Sequence, residues 1–220
     1  MADIKQPIKY NVQQKTLIEA KLQDRAFIHS NWGEEDLKEL RKAIREFYRQ
    51  QQDGFCSYCR SPVSLQSAGN CQIEHIAPKS KYRDFIFEPR NLCVICADCS
   101  EIKREQETLG NEPDTVEKGS KRKHYPRSPN AFKVVHPHFD NYYEHIEIFG
   151  DYFYVDKTVK GGHTILYCKL NRRLHKFGWQ REYTENAVVM QTAGKLLAET
   201  NLSRQRQIIE EMAKLLLLRR

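Results

Sequence analysis

The residues in this chain best suited to chemistry are cysteines, six of which lie within residues 54–106. Four of them form two C-x-x-C pairs about forty residues apart, Cys56/Cys59 and Cys96/Cys99. The two thiolates of such a pair can bind one tetrahedral ion, so two pairs predict a structural Zn²⁺ site with four cysteine ligands. A redox pair or simply buried thiols would be the alternative use.

The choice of the second pair is open, because Cys93 lies three residues before Cys96 and a Cys93/Cys96 pair has the same spacing. We favour Cys96/Cys99, because residues 92–95 (LCVI) are typical of a buried apolar segment in which Cys93 is a small hydrophobic side chain. The total of seven cysteines is odd. In a reducing compartment this argues for metal binding or burial rather than for a disulfide framework.

An acidic residue and a histidine, Glu74 and His75, stand side by side between the two pairs. The carboxylate can bind a divalent cation, and the imidazole can take a proton from water near neutral pH. Alone, such a pair is more typical of a structural histidine, or of a fifth candidate zinc ligand. The surrounding motifs favour the catalytic interpretation.

Taken together, residues 55–104 resemble the zinc-bearing branch of the HNH endonuclease family. The resemblance covers about a quarter of the chain and rests on five elements in order, namely FCSYC, IEHIAPKS, Asn91-Leu92, CADC and Lys103. It implies a ββα-metal fold, in which a two-stranded ribbon is followed by a helix and zinc knuckles tie the ends together. It also implies hydrolysis of DNA phosphodiester bonds.

The resemblance assigns roles to three residues. His75 would be the general base that activates water, and Glu74 would be a ligand of the catalytic Mg²⁺ or Mn²⁺. Asn91 would hold the loop that orients His75. The zinc would be structural.

One motif position departs from the family pattern, because Ser100 follows the last cysteine where a histidine or asparagine is usual. A serine hydroxyl is a weaker metal ligand, so either water or a neighbour such as Asp98 or Glu101 completes the shell of the catalytic metal, or catalysis is impaired. The alternative function is therefore a catalytically weakened, zinc-stabilised module that binds nucleic acid or acts as an adaptor.

The net charge of +7 is consistent with a polyanionic partner, although it is modest for 220 residues. We expect DNA, and the sequence leaves RNA open. An aromatic residue, Tyr125, lies within the basic cluster 118–127 and could stack on a base, although a solvated loop is an equal alternative. The basic residues predicted to contact nucleic acid are Lys103, Lys121, Arg122, Lys123, Arg172 and Arg173.

The remaining patterns predict an α+β fold in which a helix precedes the HNH core and a β-hairpin and C-terminal helices follow it. Asn31 could cap the first helix, which would end at Asp53-Gly54. A hairpin is expected within residues 140–160, and helices over 164–173, 182–199 and from Ser203. The predicted divisions are a helical region 1–53, the nuclease core 54–106, a linker or basic loop 107–130, and a C-terminal region 131–220.

Three further expectations concern location and partners. The polar composition, with no apolar stretch long enough for a signal or a membrane span, predicts a cytoplasmic protein that contacts no membrane. Residues 162–174 resemble a tail segment of Septu-type and retron-associated nucleases, which implies bacterial anti-phage defence or restriction with an ATPase partner. The run of leucines at 215–218 suggests an interface, for example in a homodimer.

Overall fold

Helices and two small antiparallel sheets make up the fold, which confirms the α+β class. The structure is a computed structural model that describes residues 2–117, 119, 122–149, 153–177 and 187–217. The chain divides into two units, the first comprising Met1–Glu147 with Asp156–Leu170 and the second Ile148–Val155 with Asn171–Arg220. The predicted divisions at 53, 106 and 130 all fall inside the first unit.

The first helix, α1 (Val12–Gln23), lies where the sequence supported no assignment. It begins at Asn11, whose side chain forms a capping box with Gln14. At the other end Arg83 donates hydrogen bonds to the carbonyls of Leu22 (3.0 Å) and Asp24 (2.7 Å). Arg83 therefore attaches α1 to the loop of residues 76–91, which we call the 76–91 loop.

The predicted helix start at Asn31 is wrong, because α2 (Lys38–Gln51) begins seven residues later. Asn31 instead accepts a hydrogen bond from the Ile28 amide (2.8 Å) within a 3₁₀ turn. The predicted end is correct: Asp53 and Gly54 both adopt positive φ (51° and 76°), a conformation that ends a helix.

The centre of the first unit is a strand pair followed by a helix. Strands β1 (Gln72–His75) and β2 (Leu92–Ile95) are antiparallel, with Glu74 opposite Cys93 and His75 opposite Leu92. Helix α3 (Ala97–Thr108) follows β2 directly. Because all four residues of β2 are buried, its alternate side chains pack on both sides of the ladder.

A side chain from the end of α2 continues the hydrogen bonding of this small sheet. The amide of Gln52 donates to the Val94 carbonyl (2.8 Å) and accepts from the Val94 amide (2.7 Å), much as a third strand would. Both groups are buried, so they have no water to replace these bonds. Gln52 therefore couples the end of α2 to β2.

Within residues 107–130, predicted as a linker or basic loop, Thr115 and Tyr125 contact the 76–91 loop. The Thr115 hydroxyl donates to the Ile76 carbonyl (2.6 Å). Tyr125, for which stacking on a base and a solvated loop are equal alternatives from the sequence, is only 6% exposed and donates to the Arg90 carbonyl (3.1 Å). Neither alternative describes this side chain, since its ring belongs to the core.

The predicted hairpin is present but shorter than expected. Residues 142–145 form one helical turn, α4 (Tyr142–His145), rather than part of a strand. The strands are β3 (Ile146–Phe149) and β4 (Phe153–Asp156). The helix predicted over 164–173 is divided, because α5 (Val159–Tyr167) ends at a turn in which Lys169 has φ 45°, and α6 (Arg172–Phe177) follows.

In the second unit, α7 (Ala187–Ala198) packs on α8 (Leu202–Leu217). Met212 of α8 is 3% exposed. The helix start predicted at 182 and Leu218 of the leucine run lie outside the described residues. No helix in the described ranges is long and apolar enough to cross a membrane.

We predict that Gln52→Leu lowers the free energy of unfolding by about 2 kcal/mol, because it leaves the buried Val94 amide without a partner and the Val94 carbonyl with the Ser57 amide (3.1 Å) alone. Urea unfolding at saturating zinc measures the change. Gln50→Leu, at an exposed position of the same helix, is the control and should shift stability by less than about 0.5 kcal/mol. Equal effects of the two substitutions would contradict the role of Gln52.

Candidate metal centre and active site

Four buried thiols form one cluster in the first unit. The sulfur atoms of Cys56, Cys59, Cys96 and Cys99 all lie within 4.8 Å of one another, and those of Cys59 and Cys96 are 3.5 Å apart. Tetrahedral zinc with Zn–S bonds of about 2.3 Å places its sulfurs just under 4 Å apart. The donor set and its spacing therefore fit a structural Zn²⁺ ion. Cys93 is buried outside the cluster.

Each half of the cluster is shaped by the local backbone. In the first knuckle the Cys56 amide donates to the Ser61 carbonyl (2.9 Å), and Arg60 takes up a positive φ of 58°. In the second, Cys96 caps the start of α3 and Cys99 lies in its first turn. The N–H groups at a helix start favour thiolates. The hydrogen bond from Cys56 is the main factor that lowers the pKa of Cys96.

Glu74 is buried at the end of β1 and is held by one residue from each knuckle region. The Tyr58 hydroxyl, from inside the first C-x-x-C, donates to Glu74 Oε1 (2.9 Å). Lys103, one turn beyond Cys99 on α3, forms a buried ion pair with the same oxygen. The zinc cluster and the Glu74 carboxylate are therefore linked through two side chains.

Burial and the ion pair act in opposite directions on the pKa of each partner. Burial raises the pKa of Glu74, and the Lys103 ammonium is the main factor that opposes this rise. Burial is the largest influence on the pKa of Lys103 and tends to lower it, but the interactions with Glu74 and Tyr167 together outweigh burial and raise that pKa well above its ordinary value. Lys103 is thus a fixed positive charge at the candidate site.

His75 is oriented by the backbone of the 76–91 loop. Its Nε2 atom lies 3.1 Å from the Ile86 carbonyl, which can only accept, so Nε2 carries the proton and Nδ1 is left as the basic atom. Trp32 packs edge-on against the imidazole with ring centroids 4.7 Å apart. Burial is the main factor that lowers the pKa of His75 to about 3, so the ring is neutral at physiological pH.

Asn91 has no exposed surface and holds the 76–91 loop at both ends. Its side-chain oxygen accepts from the Ala77 amide (2.7 Å), and its Nδ2 donates to the carbonyls of Ala77 (3.2 Å) and Phe85 (2.9 Å). Phe85 precedes Ile86, so the Asn91 amide fixes the carbonyl that orients His75.

The donors around Glu74 do not fit the catalytic cation implied by the resemblance. Its carboxylate is already paired with Lys103, and the two neighbours suggested to complete the metal shell, Asp98 and Glu101, are exposed on α3. Ser100 lies in the first turn of α3, where its amide donates to the Cys96 carbonyl (3.0 Å). In the described ranges, the four-cysteine cluster is the only group of three or more His, Cys, Asp or Glu ligand atoms close enough to hold an ion.

The residues predicted to contact nucleic acid are distributed over both units. Lys103 is buried in its ion pair rather than exposed. Arg122 and Lys123 are exposed in the first unit, and Lys121 lies outside the described residues. Arg172 and Arg173 lie on α6 of the second unit.

Sequence reasoning missed three contacts that build the site, those of Tyr58, Trp32 and the Ile86 carbonyl. Only Tyr58 had a signal, because it stands inside a C-x-x-C motif next to the predicted ligands. It also missed a cavity of about 370 Å³ beside α3, whose lining includes Gln106, Lys133, His163 and Tyr167. Comparisons with models of protein families, with curated proteins and with solved structures found no match.

We predict about one zinc ion per chain, which Cys99→Ser removes together with the fold of residues 54–106, because metal binding and folding are coupled. Elemental analysis and circular dichroism of the full chain measure both effects. Cys93→Ala and Cys71→Ala, at buried cysteines outside the cluster, should retain the zinc. A well-folded but zinc-free Cys99→Ser protein would contradict the assignment.

We predict that His75 stays neutral, with its proton on Nε2, from pH 8 down to at least pH 5, since its pKa is lowered to about 3. Nitrogen-15 NMR of the imidazoles, assigned with His75→Gln, measures the tautomer. Unfolding brings this pKa back to about 6.5. The stability contributed by the neutral ring is therefore complete above pH 6.5 and is lost as the pH falls towards 3. Protonation of the folded His75 near pH 6.5 would refute this prediction.

Proposed function

We propose that this chain is an HNH-type endonuclease that hydrolyses phosphodiester bonds in DNA. The observation that carries the proposal is the way in which His75 is fixed at the end of β1. The Asn91 amide closes the 76–91 loop, the Ile86 carbonyl of that loop binds Nε2, and Nδ1 remains as a base.

The order of the elements supports the same proposal. The Glu74-His75 pair ends β1, Asn91 directly precedes β2, and α3 follows. This order is the one that a ββα-metal fold, as implied by the resemblance, would have. The four-cysteine cluster joins the residues before β1 to the start of α3. Packing and hydrogen bonds hold Glu74, His75, Asn91 and the four cysteines in these positions.

Hydrolysis would use the neutral imidazole as general base. His75 Nδ1 accepts a proton from water, the water oxygen forms a bond to phosphorus, and the bond from phosphorus to the leaving oxygen breaks. The Nε2–H bond to Ile86 stabilises the imidazolium that results. Lys103 places a positive charge beside the carboxylate of Glu74, the residue that precedes His75.

The cellular role that we propose is bacterial anti-phage defence or restriction, with an ATPase as partner. It is supported by the resemblance of residues 162–174, which span the end of α5, the following turn and the start of α6. Leu166 in this segment is 75% exposed, as a contact residue would be. Residues 122 and 123 offer exposed positive charge for the nucleic acid.

A second candidate function is a zinc-stabilised module that binds nucleic acid but cleaves it weakly or not at all. The Glu74–Lys103 ion pair favours it, because a carboxylate neutralised by lysine is a poor ligand for a cation. Ser100 also favours this candidate, because a serine hydroxyl is a weaker metal ligand than the histidine or asparagine usual at this position. The two candidates differ in cleavage, not in binding.

We predict that the full chain nicks plasmid DNA and that His75→Ala lowers the rate by about a hundredfold or more, the usual effect of removing a general base. Gel assays with Mg²⁺, with Mn²⁺ and with chelator, each with and without candidate ATPases, measure it. The control is His29→Ala, whose side chain is 41% exposed in the 3₁₀ turn before α2 and which should cleave like the unsubstituted chain.

Two outcomes decide between the candidates. Binding of the plasmid without nicking under every condition would favour the non-catalytic module. Equal nicking by the unsubstituted chain and His75→Ala would refute His75 as the base.

A further inference from the structure

The cavity of about 370 Å³ beside α3 lies wholly within the first unit, and the proposed function makes no use of it. Its walls come from α3, from α5 and from residues 113–115 and 133–134. Its volume falls within the range of roughly 300–1,000 Å³ that is typical of sites for small molecules. The cavity is therefore large enough to hold a ligand of its own.

Most of the cavity wall is apolar. Val134 and Tyr167 are 2% and 6% exposed, whereas Leu166 on the same wall is 75% exposed. The wall thus extends from buried side chains to one at the protein surface, so an apolar body can enter from solvent and lose its contact with water. Apolar walls with a few polar groups are the usual lining of a small-molecule site.

The two charged residues of the wall, Asp114 and Lys133, differ in how they are paired. The Asp114 carboxylate accepts hydrogen bonds from the Tyr82 hydroxyl (2.8 and 2.9 Å) and from the Val116 amide (3.0 Å). Lys133 is half-buried, and within the described ranges its ammonium has no acidic or hydrogen-bonding partner. Because the negative charge is engaged and the positive charge is not, the cavity favours a ligand with an anionic group.

Gln106 adds a requirement for a hydrogen-bond donor. Its Nε2 donates to the Tyr167 carbonyl (2.9 Å), which fixes the side-chain amide at the cavity wall. Its Oε1 is buried and, among the described residues, has no hydrogen-bond partner. Buried acceptors of this kind nearly always have a donor. A ligand that carries an N–H group would supply the donor that the protein lacks.

We propose that this cavity is a binding site for a small organic anion whose apolar body is a nitrogen heterocycle with an N–H group. The anionic group pairs with Lys133, the ring packs on the apolar wall, and the N–H donates to Gln106. The proposal goes beyond the proposed function and does not depend on it. A heterocyclic carboxylic acid and a purine mononucleotide share this chemistry, and the test separates them.

The probes are indole-3-acetate and adenosine 5′-monophosphate, each compared with its uncharged analogue, indole-3-acetamide or adenosine. Proton–nitrogen NMR titration of the zinc-loaded full chain measures binding and its location. We expect one of the two anions to bind with a Kd of about 1 mM or tighter, as for a ligand of this size, and its analogue at least tenfold more weakly. The amides of residues 133–134 and 163–167 should shift.

Substitutions test the assignment of Lys133 and of the cavity. Lys133→Met should weaken binding of the anion at least tenfold and leave that of the uncharged analogue unchanged. Leu166→Trp, which narrows the exposed side of the cavity, should weaken both. Lys42→Met is the matched control, because it removes the same charge from an exposed position of α2. If Lys133→Met does not fold, as judged by zinc content and circular dichroism, Lys133→Gln takes its place.

Three results would overturn the proposal. The first is that neither anion shifts the amides of the cavity wall at ten times the expected Kd. The second is equal binding of an anion and its uncharged analogue, and the third is equal loss of binding in Lys133→Met and Lys42→Met. Plasmid nicking that depends on His75 stands or falls separately from each of them.

Discussion

The fold of the first unit depends on four cysteine thiols that lie within 4.8 Å of one another. Strands β1 and β2 are only four residues long each, and a ribbon of that size is marginally stable alone. The cysteine cluster supplies what the ribbon lacks, because it joins the knuckle at 56–59 to the start of α3. A cation at the cluster removes the mutual repulsion of the thiolates, so folding of this part and metal binding are one event.

The cysteine cluster also positions the polar groups of the candidate site. Tyr58 and Lys103 are each placed by one knuckle, and both converge on the same oxygen of Glu74. On the other side of the strand pair, Asn91 is satisfied by three backbone groups of the 76–91 loop. Buried polar networks of this kind are costly when any member is missing, so they favour a single arrangement of the loop.

The sequence predicted those parts of the molecule that depend on residue type at short spacing. The four clustered cysteines, the end of α2 at Asp53-Gly54 and the α+β class are of this kind. It failed where long-range contacts decide. The Asn31 side chain is used within a 3₁₀ turn, and Tyr125 is buried with its hydroxyl donating to the Arg90 carbonyl and lying 2.8 Å from Nε2 of His136. The ion pair of Glu74 with Lys103 was not predicted either, since a lysine in a basic chain is expected to contact solvent or phosphate rather than a buried carboxylate.

The attachment of α1 has a consequence for His75. Arg83 places its guanidinium at the C-terminal end of α1, where the helix macrodipole concentrates partial negative charge and a cation contributes about 0.3–1 kcal/mol. Arg83 and Ile86 belong to the same loop, so the carbonyl that defines the tautomer of His75 is anchored, three residues away, to a helix dipole. The position of the proton on His75 thus depends on α1, a helix more than fifty residues earlier in the chain. This helix lies outside residues 55–104, which carry the HNH-like motifs.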